Sequence, residues 1–85
     1  MREDAQERTT KYLDTTTQSL KHLKTRKLPA TISQNQLNGV LELVRGYTKD
    51  AKHYVDNKKP VTSLACIAYA EGLLDALRFL ELIDL

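Results

Sequence analysis

Apolar side chains recur at spacings of three and four in three blocks of the chain, and no alternating strand pattern of useful length appears between them. The first block, about residues 3–25, sets Ala5, Thr9, Tyr12, Thr16, Leu20 and Leu23 on one stripe, with Leu13 beside it. The stripe is narrow, and Thr9, Thr10, Thr15, Thr16 and Thr17 are β-branched side chains that lose rotamer freedom in a helix. Packing must therefore hold this element, which is expected to be the most mobile of the three. A break follows at Lys27-Leu28-Pro29-Ala30, because Pro29 lacks an amide hydrogen and turns Leu28 away from helical geometry. Ser33-x-x-Gln36 reads as a capping box that opens a second helix over about 33–56. There Leu37, Val40, Leu41, Val44, Tyr47, Thr48, Ala51, Tyr54 and Val55 form the clearest amphipathic face in the chain.

Asp56-Asn57-Lys58-Lys59-Pro60 is a short connection, and Pro60 is preset for the first turn of a third helix over about 60–81. So short a link makes the two helices antiparallel neighbours. The expected architecture is one all-α domain, residues 1–85, folded as an up-and-down antiparallel three-helix bundle with left-handed twist. The third helix is apolar nearly all round between Leu64 and Ala70, as befits an element touching both others. Leu73, Leu74, Leu77 and Leu80 fill volume. Ala65, Ala68, Gly72 and Ala76 form a small-residue stripe along which a neighbouring backbone could approach. Gly72 costs about 1 kcal/mol relative to alanine inside a helix, so a close packing contact is expected to offset it.

Composition narrows the function classes. An 85-residue chain buries only about 60% of the surface it exposes when unfolded, which leaves room for one modest core and invites help from a partner. The lone Cys66 can form neither an intramolecular disulfide nor a cysteine zinc site, and a reducing, cytoplasmic setting is expected. The N-terminal stretch is charged from its second residue and nowhere do 18 consecutive apolar residues occur, so neither an export signal nor a membrane span is expected. The net charge is only +2, but residues 60–85 carry one base against four acids while residues 1–28 carry seven bases against four acids. The basic run Lys21 to Lys27 could meet phosphates. Helix electrostatics give it a plainer role, since Glu3, Asp4 and Glu7 sit at the positive start of the first helix and this run at its negative end. Nucleic acid is not an expected partner, because no aromatic side chain is interleaved with the basic run and no glycine-rich phosphate loop exists.

One polar constellation is suggestive. Antiparallel pairing of the last two helices sets Glu71 level with Gly46 and Asp75 level with Glu42 or Leu43, where Arg45 could reach both carboxylates. Tyr47, Asp50, His53, Tyr54 and Tyr69 complete the candidate cluster. Asp50-x-x-His53 resembles half of a carboxylate and histidine metal motif, but a bundle site needs more ligands than one chain offers, and neither metal nor cofactor is expected. Cys66, within an apolar run, is expected to be an inert thiol. The tail Phe79-Leu80-Glu81-Leu82-Ile83-Asp84-Leu85 concentrates large apolar residues where chains usually fray. It either folds over the end of the bundle or, through Phe79, Leu82, Ile83 and Leu85, presents a surface to a partner.

Tyr47-x-x-Asp50-Ala51-x-x-Tyr54, followed after the turn by Ala65-x-x-Ala68-Tyr69-Ala70-Glu71-Gly72-Leu73-Leu74-Asp75-Ala76, resembles the archaeal family of short proteins called domain of unknown function 357. The resemblance spans about half the chain and is most specific from Tyr69 to Ala76. It implies a cytoplasmic archaeal three-helix bundle and brings no established activity. Glu81 stands where the resemblance leads one to expect a glycine after the last leucine. A fainter likeness to helical nucleotidyltransferase-associated domains lacks their Arg-x-x-x-x-His ribonuclease motif, since neither His22 nor His53 follows an arginine at that spacing. The expected function is a noncatalytic protein-interaction module with a protein partner or a second copy of itself. The alternative is a ligand, metal or hydrolytic site in the groove between the second and third helices.

Overall fold

A computed structural model describes residues 4–85. The elements in chain order are α1 (Ala5–His22), β1 (Lys24–Thr25), α2 (Gln34–Asp56), α3 (Pro60–Phe79) and β2 (Ile83–Asp84). All three helices touch one another, and α3 packs on both others, so the fold is the expected all-α three-helix bundle. Glu3, read as part of the first helix, lies outside the described residues.

Local chemistry explains where the helices start. The Asp4 carboxylate accepts from the amides of Gln6 and Glu7 and caps α1. Ser33 and Gln36 form the reciprocal capping box ahead of α2, with each side chain bonded to the other residue's backbone N–H. Pro60 opens α3, where a missing amide hydrogen costs nothing.

The helix ends are less orthodox. Lys58, just past α2, and Glu81, just past α3, both adopt left-handed backbone, with φ of 61° and 59°. In each case the two residues after the cap bond back into the last turn: Lys58 N–H to Val55 and Lys59 N–H to Tyr54, then Glu81 N–H to Arg78 and Leu82 N–H to Leu77. This double return satisfies the last carbonyls of a helix and normally uses glycine at the left-handed position. Glu81 therefore occupies the position of the expected glycine, and α3 ends at Phe79, two residues short of the boundary read from periodicity.

The core is built from Leu37, Leu41, Val44 and Ala51 of α2, Ile67, Ala70, Leu74 and Leu77 of α3, and Leu82 and Ile83 of the tail. α1 contributes only two fully buried side chains, Thr9 and Thr16, and both are hydroxylic. Thr9 Oγ1 donates within 2.6 Å of the Ala5 carbonyl and lies 3.2 Å from that of Pro60. Ser63, at the start of α3, donates to the carbonyl of Ala51 in α2. No buried side-chain polar atom among the described residues lacks a partner.

A two-residue antiparallel clasp, absent from the sequence-based expectation, joins β1 to β2 with Lys24 opposite Asp84 and Thr25 opposite Ile83. The Arg26 N–H extends it to the Leu82 carbonyl at 2.9 Å. The clasp turns the tail across the end of the bundle and buries Leu82 and Ile83. These two residues are thus core, which corrects their assignment to a partner surface.

Two measurements check these assignments. Ile83→Ala should lower stability by about 2–4 kcal/mol, as for other buried Ile truncations, seen in urea unfolding as a lower midpoint. Glu81→Gly and Lys58→Gly should each raise stability by roughly 0.5–1 kcal/mol by relieving left-handed strain, visible as a higher melting temperature.

Candidate functional site

Every residue of the amphipathic face read for α2 is buried or half-buried, and the faces of α2 and α3 that meet are set by that stripe. Their pairing level is the expected one, since the Tyr47 and Tyr69 rings meet with centroids 4.6 Å apart at a 44° tilt. The polar cluster does not converge at this level. Helical rotation sends its members to three different sides of the bundle.

Tyr47 and Asp50, with Tyr69 stacked on Tyr47, lie toward a side of the α2–α3 hairpin to whose lining α1 contributes no residue, while Tyr54 is half-buried against His53. A shallow groove there of about 440 Å³ is lined by Gly39, Glu42, Leu43, Gly46, Tyr47 and Asp50. Cys66 is half-buried on the same side, and burial, reinforced by the negative charge of Asp50, pushes its thiol pKa up. The thiolate is therefore disfavoured there. His53 is exposed, stacks edge-on against Tyr54 with centroids 5.4 Å apart, and sits beside the Asn57 amide.

Glu71 turns the other way, toward α1, where it accepts a hydrogen bond from Thr16 Oγ1 at 3.2 Å. Desolvation raises its carboxyl pKa above the usual value, the Thr16 hydroxyl pulls it back down, and Asp75 adds a smaller upward push. Asp75 is paired at 2.6 Å with Arg78, one turn away on its own helix. Arg45 lines a separate groove between α1 and α2 with Leu13, Leu20, Lys49 and Lys52. The expected bridge from Arg45 to Glu71 and Asp75 is thus replaced by one bond to α1 and one pair within α3. Among the described residues no three histidine, cysteine, aspartate or glutamate side chains gather closely enough to hold a metal ion.

The outer face of α3 is the more unusual feature. Val61 is 72% exposed, Phe79 85%, Leu80 64% and Tyr69 53%, and Leu43, on α2 in the groove with Tyr47, is 51% exposed. Between these large side chains run Ala65, Ala68, Gly72 and Ala76, all exposed. By length and composition α3 is the helix among the described residues that could cross a membrane, yet only 28% of that apolar window is buried in the bundle. A helix with Ser63 bonded to α2 and Glu71 bonded to α1 is the core helix of this fold. Its apolar content nevertheless continues onto the side that meets no other element.

The glycines sharpen the point. Gly39, Gly46 and Gly72 all lie inside helices with ordinary φ, and a methyl group added to any of them would meet nothing within 4 Å. Each costs the helix about 1 kcal/mol relative to alanine. For Gly72 this overturns the expectation of a compensating contact inside the chain, because the small-residue stripe points outward. Val61 on α3, Leu80 just past it and Leu43 on α2 are apolar residues outside the inward stripes, and that surplus is a signal the sequence carries for this face.

A small three-helix protein whose three helices leave one apolar face open is the class this geometry defines. The chain matches the family described as protein of unknown function, DUF357, over residues 11–83, and it belongs to that family. No curated protein and no solved structure matches it.

The Glu71 environment yields a pH-dependent expectation. A carboxyl whose folded pKa is raised contributes stability while protonated, and loses it as pH rises through that pKa. Glu71→Gln, which keeps an acceptor for Thr16, should therefore raise the unfolding midpoint at neutral pH and leave it nearly unchanged at pH values below the normal carboxylate range. Chemical denaturation at the two pH values measures the difference.

Proposed function

We propose that this protein is a noncatalytic, cytoplasmic interaction module that binds another macromolecule through the outer face of α3 and the adjoining edge of α2. The observation that carries this reading is the exposure of Val61, Phe79, Leu80, Tyr69 and Leu43 on one side of a hairpin whose other sides are packed or charged. Monomeric soluble proteins seldom expose contiguous apolar patches of more than a few hundred Å² without using them. The cytoplasmic part rests on Cys66, a half-buried free thiol with no partner for a disulfide.

The separation of the polar cluster supports the same reading. Catalysis by side chains needs a nucleophile or general base within hydrogen-bond reach of its partners. Here Glu71 serves α1, Asp75 serves Arg78, and His53 faces solvent beside Asn57. The open groove beside Asp50 and Tyr47 is shallow, which suits a protein edge better than a small molecule that must be largely enclosed.

The test is native mass spectrometry of the chain captured from its host at low salt, beside a variant carrying Phe79→Ser and Leu80→Ser. Both positions are exposed, so the variant should keep its helical circular dichroism. The expected result is a reproducible heavier assembly that the variant loses. A bare chain carrying a small fixed mass increment, retained in the variant, would overturn the reading in favour of a bound ligand.

A further inference from the structure

The outer face of α3 is nearly symmetric about its middle, with Val61 and Phe79, and Ala68 and Gly72, equally far from residue 70. Large side chains, Val61 and Phe79, stand at its two ends, and small ones, Ala65, Ala68, Gly72 and Ala76, occupy the middle. Resting on the interaction reading, we infer that the partner is a second copy of this chain, docked with its α3 antiparallel across a twofold axis near the middle of the helix.

In that arrangement Val61 lies against Phe79 of the second copy, and Ala68 against Gly72 of the second copy, so each contact is made twice, as an isologous interface requires. The backbones come closest where the side chains are smallest, near the 8 Å lower limit of helix packing. The solvent-facing Gly72, which no atom of its own chain approaches, then gains a neighbour. A parallel pairing would instead set Phe79 against Phe79 and separate the helices.

Charge favours the same orientation. Lys58 and Lys59 lie at the start of α3 and Glu81 just past its end, all exposed. Antiparallel docking brings the lysines of each copy to the glutamate of the other, and it opposes the two helix dipoles. Asp75 and Arg78, at the border of the face, neutralise each other within the chain, so burying the stripe strands neither charge.

The area is sufficient. With an aromatic side chain presenting roughly 150–250 Å² when fully exposed, Phe79 at 85% and Tyr69 at 53% alone supply on the order of 200–350 Å², to which exposed Val61, Leu43 and Leu80 add. The alanines and glycines bring the patch near the roughly 800 Å² per partner of a standard stable interface.

Sedimentation equilibrium on the full chain should show the mass rising from 9.7 kDa toward twice that value over micromolar concentrations. Gly72→Arg should stay folded, because the position faces open space, and should weaken the dimer at least about 100-fold by placing two unpaired cations at the closest approach. Register is read by mixing Ala65→Cys with Ala76→Cys, each in a Cys66→Ser background. The mixture should cross-link readily and Ala65→Cys alone should not. A dimer indifferent to Gly72→Arg, or cross-linking by Ala65→Cys alone, overturns the antiparallel face. A chain monomeric at every concentration that holds a different protein, released by Gly72→Arg, overturns self-association and leaves the interaction reading intact. A monomer that captures nothing overturns both.

Discussion

The bundle is organised by buried hydroxyls at the start of α3. Ser63 donates to the carbonyl of Ala51, and Thr9 reaches the carbonyl of Pro60. Such bonds need small side chains, and Ala51, Ser63 and Thr9 are all completely buried. A buried donor left unpaired costs about 1–3 kcal/mol. The rotation of α3 that satisfies Ser63 is therefore preferred over neighbouring ones, and it also sets the Pro60 carbonyl 3.2 Å from Thr9, whose hydroxyl is already bonded to Ala5 in its own helix. Once that rotation is fixed, Ile67, Ala70, Leu74 and Leu77 point inward, Glu71 faces Thr16, and the small-residue stripe faces away from both neighbours.

The polar anchoring also explains the division of labour among the helices. α2 and α3 share nearly all the large buried side chains, while α1 is held by Thr9 and Thr16 and by half-buried Tyr12, Leu13 and Leu20. With one thin helix on one side of a two-helix hairpin, the molecule is elongated. Its radius of gyration is 13.9 Å, against roughly 12 Å for a spherical domain of this length. An elongated shape cannot cover every apolar side chain, and the uncovered ones collect on α3.

Much of the fold is legible in the residues. The capping box at Ser33, the heptad face of α2, Pro60 at the first turn of α3 and the level at which α2 and α3 pair all follow from spacing and local chemistry. The candidate site was less legible, because level and rotation are separate quantities. Residue numbers place Arg45, Glu71 and Asp75 at one level of the hairpin. The rotation of each helix, set by its buried stripe together with the Ser63 hydroxyl, turns Glu71 to α1 and leaves Arg45 in another groove. Gly72 misleads for a related reason, since a glycine in a helix signals close approach without saying from which side. The clasp is not legible in the sequence because two-residue strands carry no periodicity, and an apolar tail reads the same whether it is covered or exposed.

The clasp has a thermodynamic consequence. Because β1 precedes α2 and β2 follows α3, the pairing closes residues 24–84 into a loop that excludes α1. Among the described residues no backbone hydrogen bond joins α1 to any other element. Detaching α1 therefore breaks side-chain contacts only and leaves the remaining ladder intact, which is the bonding arrangement of two cooperative units of unequal strength. A chain this short contains, in effect, a closed hairpin with its own fastening and a helix that leans on it.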